Sequence, residues 1–459
     1  MRLSVGDFRG RAMRRLCQAV CLVLFALSLL LPATAGVWMR LDVLSGLSAM
    51  LATRRFLPSF WPALGMVALA LVVGRAWCGW MCPLGTLLEW TGRRRARRPP
   101  PRFWRWPKYA LLAAVLASSL LRFPYPVLLD PMPLLGRAVG VVRLAVSPGI
   151  VAPLADLAPL LLLGAVLALN LAAPRFWCHA FCPLGAALAL LGRLAFLQRR
   201  LDDRCNACGT CARLCPTGVA EGDAHPSECL ICLQCASHCP AEAVHWRSRR
   251  SGQAQAFDPA RRAFLAALGA GALASLLMPL ARYLAPRQPR WLRPPGAREG
   301  ELQMRCLRCG ACLAVCPTGA LRPLPLSSGL EAFWTPHLTP RLGYCRYSCN
   351  ACGKACPSGA IPPLSLAEKQ RAVIGLARVD PSRCLTWTEN RRCTVCHDTC
   401  PVPGGAIRLV EETAVTPRGE GIRLRRPHVQ EERCNGCGIC EYNCPVQGEA
   451  GIRVWPVWH

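Results

Sequence analysis

Cys205-Asn206-Ala207-Cys208-Gly209-Thr210-Cys211-Ala212-Arg213-Leu214-Cys215-Pro216 is followed by Cys229-Leu230-Ile231-Cys232-Leu233-Gln234-Cys235-Ala236-Ser237-His238-Cys239-Pro240, the same Cys-x2-Cys-x2-Cys-x3-Cys-Pro run written twice. Three thiolates two residues apart wrap one cubane, and the fourth, after three more residues, points away to its neighbour. By that rule Cys205, Cys208, Cys211 and Cys239 hold one [4Fe–4S] cluster, and Cys229, Cys232, Cys235 and Cys215 hold another. Zinc sites rarely use three such close cysteines followed by Cys-Pro.

Four more groups lie downstream. Cys306, Cys309, Cys312 and Cys316 are regular. Cys345, Cys349, Cys352 and Cys356 have one extra residue in the first gap. Cys384, Cys393, Cys396 and Cys400 have a long first gap, and Cys434, Cys437, Cys440 and Cys444 are regular again. Sixteen ligands suit four clusters, about six in the whole chain. Spacing alone allows first-with-second and third-with-fourth partnering, or first-with-fourth and second-with-third. Cys393-Thr394-Val395-Cys396-His397 also spells a covalent haem motif. A haem there would orphan Cys384 and Cys400, so the cluster reading is preferred and His397 is read as a loop residue.

The chain has 459 residues, thirty of them cysteine, and is 53% hydrophobic. That length suggests several domains at roughly 150 residues each. Disulfide scaffolds of such cysteine density are small secreted domains. Collagen, a disordered tail and a single soluble domain are likewise excluded. The formal charge of +29 is nearly all arginine, Lys108, Lys354 and Lys369 being the lysines. Six clusters at −2 each would lower it to about +17. No nucleic-acid function is read from it.

Apolar runs at 17–36, 60–77, 108–121 and 150–173 read as membrane spans. Residues 1–16 carry five arginines, 93–108 eight basic residues and 175–204 five, against three each in 37–59 and 122–149. The positive-inside rule therefore places the N-terminus in the cytoplasm. Arg75-Ala76-Trp77-Cys78-Gly79-Trp80-Met81-Cys82-Pro83-Leu84-Gly85 recurs 100 residues later as Arg175-Phe176-Trp177-Cys178-His179-Ala180-Phe181-Cys182-Pro183-Leu184-Gly185. Cys78, Cys82, Cys178 and Cys182 are candidate redox thiols, which could bind a metal or cluster, form redox disulfides or cap helices. Cys17 and Cys21 share a helix face and read as buried, unreactive thiols. Asp130 and Asp156 could accept protons beside a quinol; the expectation is instead that both lie in a wet outer loop.

Between the arrays, Arg261-Arg262-Ala263-Phe264-Leu265 and the apolar stretch after it read as a twin-arginine-like export signal. The chain then divides into a four-helix membrane domain (1–200), a cytoplasmic two-cluster domain (201–257), a signal or transmembrane helix (258–285) and a periplasmic four-cluster domain (286–459). The fold class is an α-helical membrane domain of four spans, plus a fifth signal-anchor-like helix, with α+β bacterial-ferredoxin-like [4Fe–4S] domains.

The duplicated turns and two-cluster tail resemble the NapH/MauN membrane polyferredoxins. The twin-arginine segment and four following motifs resemble the NapG/MauM periplasmic polyferredoxins, so the whole looks like a fusion of the two. The resemblance implies an inner-membrane protein that oxidises quinol from the pool and passes electrons to a periplasmic acceptor, a cytochrome or reductase, as in nitrate respiration. Similarity to other four-cluster subunits implies first-with-fourth pairing in the second array. The alternative is an accessory polyferredoxin supplying electrons for maturation of a partner metalloenzyme. No nucleotide-binding Gly-rich loop follows a strand, since Gly269-Ala270-Gly271 sits inside an apolar run, and no catalytic constellation is recognisable.

Overall fold

The computed structural model describes residues 7–31, 34–92, 102–122, 129–146, 157–219, 226–248, 291–298, 300–329, 332–415 and 421–457, with isolated positions between 265 and 273. The export-signal reading at 258–285, apart from those positions, and Asp156 lie outside the described residues. The chain forms two compact units. One comprises 1–138, 157–285 and 304–309; the other comprises 139–156, 286–303 and 310–459.

The first unit is helical around the duplicated turns. Helix α1 (Asp7–Leu30) is followed by α2 (Val37–Arg40), α3 (Val43–Thr53), α4 (Trp61–Val73), α5 (Ala76–Trp80), α6 (Pro83–Thr91) and α7 (Trp106–Leu120). Then come α8 (Pro131–Val146), whose residues from 139 on belong to the second unit, α9 (Ala158–Ala172), α10 (Phe176–Ala180) and α11 (Pro183–Gly192). Each copy of the repeat is thus a helix, a one-turn helix carrying the first cysteine, and a third helix with proline at its first position. Proline fits there because the first helical N–H needs no partner. Cys82 and Cys182 stand at the N-caps of α6 and α11, where their sulfurs accept the N–H of Gly85 and Gly185.

Two expectations change. The stretches 37–59 and 122–149, read as connecting loops, contain α2, α3 and α8, because Asp42 caps α3 through the N–H groups of Leu44 and Ser45 and Pro131 opens α8. By length and composition, only α1 (window Ala12–Leu29) among the described residues is long and apolar enough to cross a membrane. Helices α4, α7 and α9 have 13, 15 and 15 residues, about 20–22 Å at 1.5 Å per residue against a hydrocarbon core of about 30 Å.

The first cluster array completes this unit. Strands β1 (Leu197–Leu201) and β2 (Val244–Ser248) pair antiparallel, Leu197 opposite Ser248, and bracket both cysteine groups. Short helices α12 (Thr210–Leu214) and α13 (Gln234–Ser237) lie between them.

In the second unit, β3 (Leu321–Pro323) pairs with β4 (Pro336–Leu338), and β5 (Leu376–Val379) with β8 (Ile452–Trp455), all antiparallel. A hairpin of two nine-residue strands, β6 (Ile407–Val415) and β7 (Gly421–Val429), is inserted between the third and fourth groups. Strands β5 and β8 therefore enclose the third and fourth groups as β1 and β2 enclose the first array.

Candidate iron–sulfur and thiol sites

All thirty cysteines are free of disulfides. In the four regular groups the backbone repeats one conformation. The residue before the second cysteine and the residue after it both have positive φ: Ala207 and Gly209, Ile231 and Leu233, Arg308 and Gly310, Gly436 and Gly438. L-residues such as Ile231 and Leu233 rarely adopt this region, at about 1–3 kcal/mol each. Successive turns of this kind aim N–H groups into a concavity that binds anions. The two groups with lengthened first gaps lack that paired pattern. In the second group the extra residue is accommodated by the buried Lys369, whose Nζ donates to the carbonyls of Arg346 (2.6 Å) and Tyr347 (3.2 Å).

Cavities show which thiols meet. Cys215, Cys229, Cys232 and Cys235 line one cavity together, the set the spacing rule selects. A second cavity is lined by Cys384, Cys393, Cys396 and Cys444, so the third group partners the fourth. Cys316 likewise interacts electrostatically with Cys345 and Cys352, and Cys400 with Cys437. First-with-fourth pairing, implied by resemblance, is therefore wrong: the strand pair β5–β8 closes around the third and fourth groups as one ferredoxin-like unit. His397 is exposed and its Nδ1 hydrogen-bonds the Ile407 carbonyl at 2.6 Å.

Burial pushes the thiols of Cys229 and Cys396 up to about 12 and those of Cys232 and Cys437 to about 11, with neighbouring thiols adding to the rise. Raised thiols favour the protonated form until a bound cation displaces the proton, which couples cluster loading to completion of these cores. Backbone N–H groups already point at sulfur: Ala243 to Cys239 (3.4 Å), Ala406 to Cys400 (3.4 Å) and Gly451 to Cys444 (3.3 Å). Among the described residues, no three His, Cys, Asp or Glu side chains gather around a single ion.

The four thiols of the duplicated turns also come together. Cys78 and Cys178 lie within electrostatic reach of both Cys82 and Cys182. Two ion networks, one on the buried Glu228 and one on the half-buried Glu89, surround them, which sequence reasoning missed. Glu228 accepts from Lys108 (2.6 and 2.7 Å), Tyr109 (2.8 Å) and Arg75. Burial alone would raise the Glu228 carboxyl, but Lys108 and Arg75 outweigh it and hold it well below the usual carboxylate range. Glu89 accepts from Arg175 (2.6 Å), Gln18 (3.0 Å) and Arg14. The basic repeat positions Arg75 and Arg175 were legible; their carboxylate partners, 153 and 86 residues away, were not.

Glu228 immediately precedes Cys229, so its network seats a cluster loop on the first turn. Trp80 Nε1 donates to the Ile231 carbonyl (3.0 Å) and Arg14 Nη1 to that of Cys232 (3.2 Å). A Cβ at Gly79 would stand 2.2 Å from the Leu230 oxygen. Elsewhere in this unit, Asp130 does not lie in a wet loop. Its side chain is fully buried beside Asp42, and burial, then the Asp42 carboxylate, push its carboxyl well above the usual range. Cys21 is buried and Cys17 half-buried.

Residues 57–101 and 155–202 match a family described as a 4Fe-4S binding domain, 228–321 a 4Fe-4S dicluster domain, and 426–449 a further 4Fe-4S binding domain. The methylamine utilization ferredoxin-type protein MauM of Paracoccus denitrificans is 37% identical over 201 residues, 43% of this chain and 84% of the relative. The ferredoxin-type protein NapG of Haemophilus influenzae is 34% identical over 222 residues, 47% of this chain and 78% of the relative. NapG of Escherichia coli is 37% identical over 168 residues, covering 36% and 71%. No solved structure matches. With its cysteine arrays, paired positive-φ turns and thiol-lined cavities, the chain is an iron–sulfur electron-transfer protein carrying multiple [4Fe–4S] clusters, and it belongs to the MauM/NapG ferredoxin-type family.

Proposed function

We propose that this protein oxidises quinol at the inner membrane and hands the electrons, one at a time, through its cubanes to a periplasmic acceptor such as a cytochrome or reductase. In this reading residues 1–200 are a four-span NapH/MauN-like domain with a cytoplasmic N-terminus. Residues 201–257 are cytoplasmic, and the twin-arginine-like segment carries 286–459 to the periplasm. The 24 cysteines from Cys205 to Cys444 are the iron ligands of six clusters.

One observation carries it: a cluster loop, Glu228–Cys232, is sealed against the duplicated turns inside a helical assembly that is apolar outside and ionic within. Large apolar side chains stand exposed along α1 (Leu16, Val20, Val23, Leu24, Leu27), α4 (Trp61, Leu64, Leu71) and α9 (Leu161, Leu169, Leu171). Such a face fits lipid better than water. Within the second array, the Cys345 N–H donates to the Cys437 carbonyl at 2.8 Å. Together with the observed pairing, that supports a one-electron route from the Cys345 cluster to those of Cys434 and Cys384.

The chemistry supplied by the clusters is one-electron acceptance. Oxidation of a quinol releases two electrons to two oxidised cubanes and two protons to nearby bases or water. The full chain in lipid nanodiscs tests this. A menaquinol analogue is expected to bleach the cluster absorbance as quinone appears. Protein that dithionite reduces but quinol does not would overturn the reading.

A further inference from the structure

Each of the matched stretches 57–101 and 155–202 contains only two cysteines, so neither holds a cube alone. The structure interlocks them. Arg175, from the second copy, donates through Nη1 to the carbonyl of Cys78 in the first at 3.0 Å. The Arg75 guanidinium in turn lies 2.9 Å from where a Cβ on Gly185 would stand, and Arg175 lies 3.5 Å from the equivalent point on Gly85. Each copy's arginine therefore wraps the other copy's turn. The Gly85 and Gly185 N–H groups donate to the sulfurs of Cys82 (3.4 Å) and Cys182 (3.2 Å). Both are helix N-cap bonds from three residues on; N–H groups four, six and seven residues on reach the sulfurs of Cys239, Cys400 and Cys444.

Charge sharpens the point. Arg75 and Lys108 share Glu228, while Arg14 and Arg175 share Glu89. All four cations are at most 4% exposed. Each network sets two cations against one carboxylate, so the surroundings of the turns carry net positive charge, part of it facing the neighbouring Cys232. Buried charge of that kind costs several kcal/mol per ion unless it is matched.

We propose that Cys78, Cys82, Cys178 and Cys182 together hold one further [4Fe–4S] cluster, shared between the two copies of the repeat. Four thiolates on an oxidised [4Fe–4S]2+ core sum to about −2, a charge of the sign that these cations favour. Two disulfides would be neutral and gain nothing from them. A single zinc on four thiolates has the same charge, and iron and sulfide content distinguish the two. The cluster would lie beside the Cys229 loop, which Trp80 and Arg14 hold against the same turns, and would relay single electrons to it. This assignment does not depend on which donor reduces the protein.

The test is iron and acid-labile sulfide content of the full chain purified anaerobically, with alkylation and mass spectrometry of the four thiols. About 28 irons per chain are expected, with all four thiols protected until iron is stripped by a chelator and oxidant. Cys78→Ser with Cys178→Ser is expected to lower iron to about 24 while the other clusters keep their EPR signals. About 24 irons in the unaltered chain, with the four thiols alkylated directly or recovered as disulfides, would overturn the proposal whether or not the variant folds.

Discussion

Lys108 and Glu228 are joined by two hydrogen bonds, at 2.6 and 2.7 Å, in a site where neither side chain is more than 5% exposed. With Arg75 and Tyr109 on the same carboxylate, Glu228 anchors the two-cluster domain to the helical one. Glu228→Gln would leave two buried cations facing a neutral amide. Breaking one partner of a buried pair costs about 3–5 kcal/mol, and a clear fall in melting temperature is expected by calorimetry of the loaded protein. An unchanged melting temperature would show that the network does not hold the unit together.

Gly79 is required for the same dock. An alanine methyl would meet the Leu230 carbonyl oxygen at 2.2 Å, and backbone cannot step aside as a flexible side chain can. Overpacking of this kind costs about 1–3 kcal/mol. Gly79→Ala is expected to displace the 229–232 loop and alter the EPR line shape of its cluster, leaving the clusters of the second array as they were. An unaltered spectrum would contradict the docking.

The pairing of the second array can be read from single ligands. Cys444→Ser is expected to disturb the cluster of Cys384, Cys393 and Cys396, with which it shares a cavity. Cys356→Ser should instead act on the cluster of the first group. Mössbauer or EPR spectra in which Cys444→Ser disturbed the first group's cluster would restore the first-with-fourth order. His397→Ala is expected to leave every cluster in place, with no haem released from either protein.

Asp130 gives a pH dependence with a definite sign. Unfolded, its carboxyl ionises near the ordinary 3.8; folded, burial and the adjacent Asp42 hold the proton to higher pH. The folded state therefore binds more protons, and its stability is greatest below about pH 4 and falls as pH rises toward the folded value. Asp130→Asn removes that loss. Its melting temperature is expected to exceed wild type at pH 8, with the gap narrowing toward pH 5. A gap independent of pH would show that Asp130 is ionised in the fold.

The sequence made the clusters legible because ligand spacing is local: twelve residues from Cys205 to Pro216 contain the whole wrapping geometry, and Cys215 lines one cavity with Cys229, Cys232 and Cys235. The duplicated turns were visible for the same reason. What stayed hidden was long-range. Glu228 reads as an ordinary acidic residue before a cysteine until Lys108, 120 residues away, reaches it. The partner of the Cys384 group depended on strand pairing between β5 and β8, which sets Leu376 opposite Trp455 and which no spacing encodes. Asp42 was passed over, although an aspartate before Val43 is a helix-capping signal. That omission left α3 read as loop and Asp130 without its neighbour.

The most direct measurement is anaerobic titration of the loaded full chain with a menaquinol analogue, followed by EPR, beside the Cys78→Ser, Cys178→Ser variant. The account predicts that quinol reduces the wild-type clusters and fails to reduce those of the variant, although dithionite reduces both. A variant whose clusters quinol reduces as fast as wild type would contradict a route through the duplicated turns. A wild type that quinol leaves oxidised would contradict quinol oxidation itself.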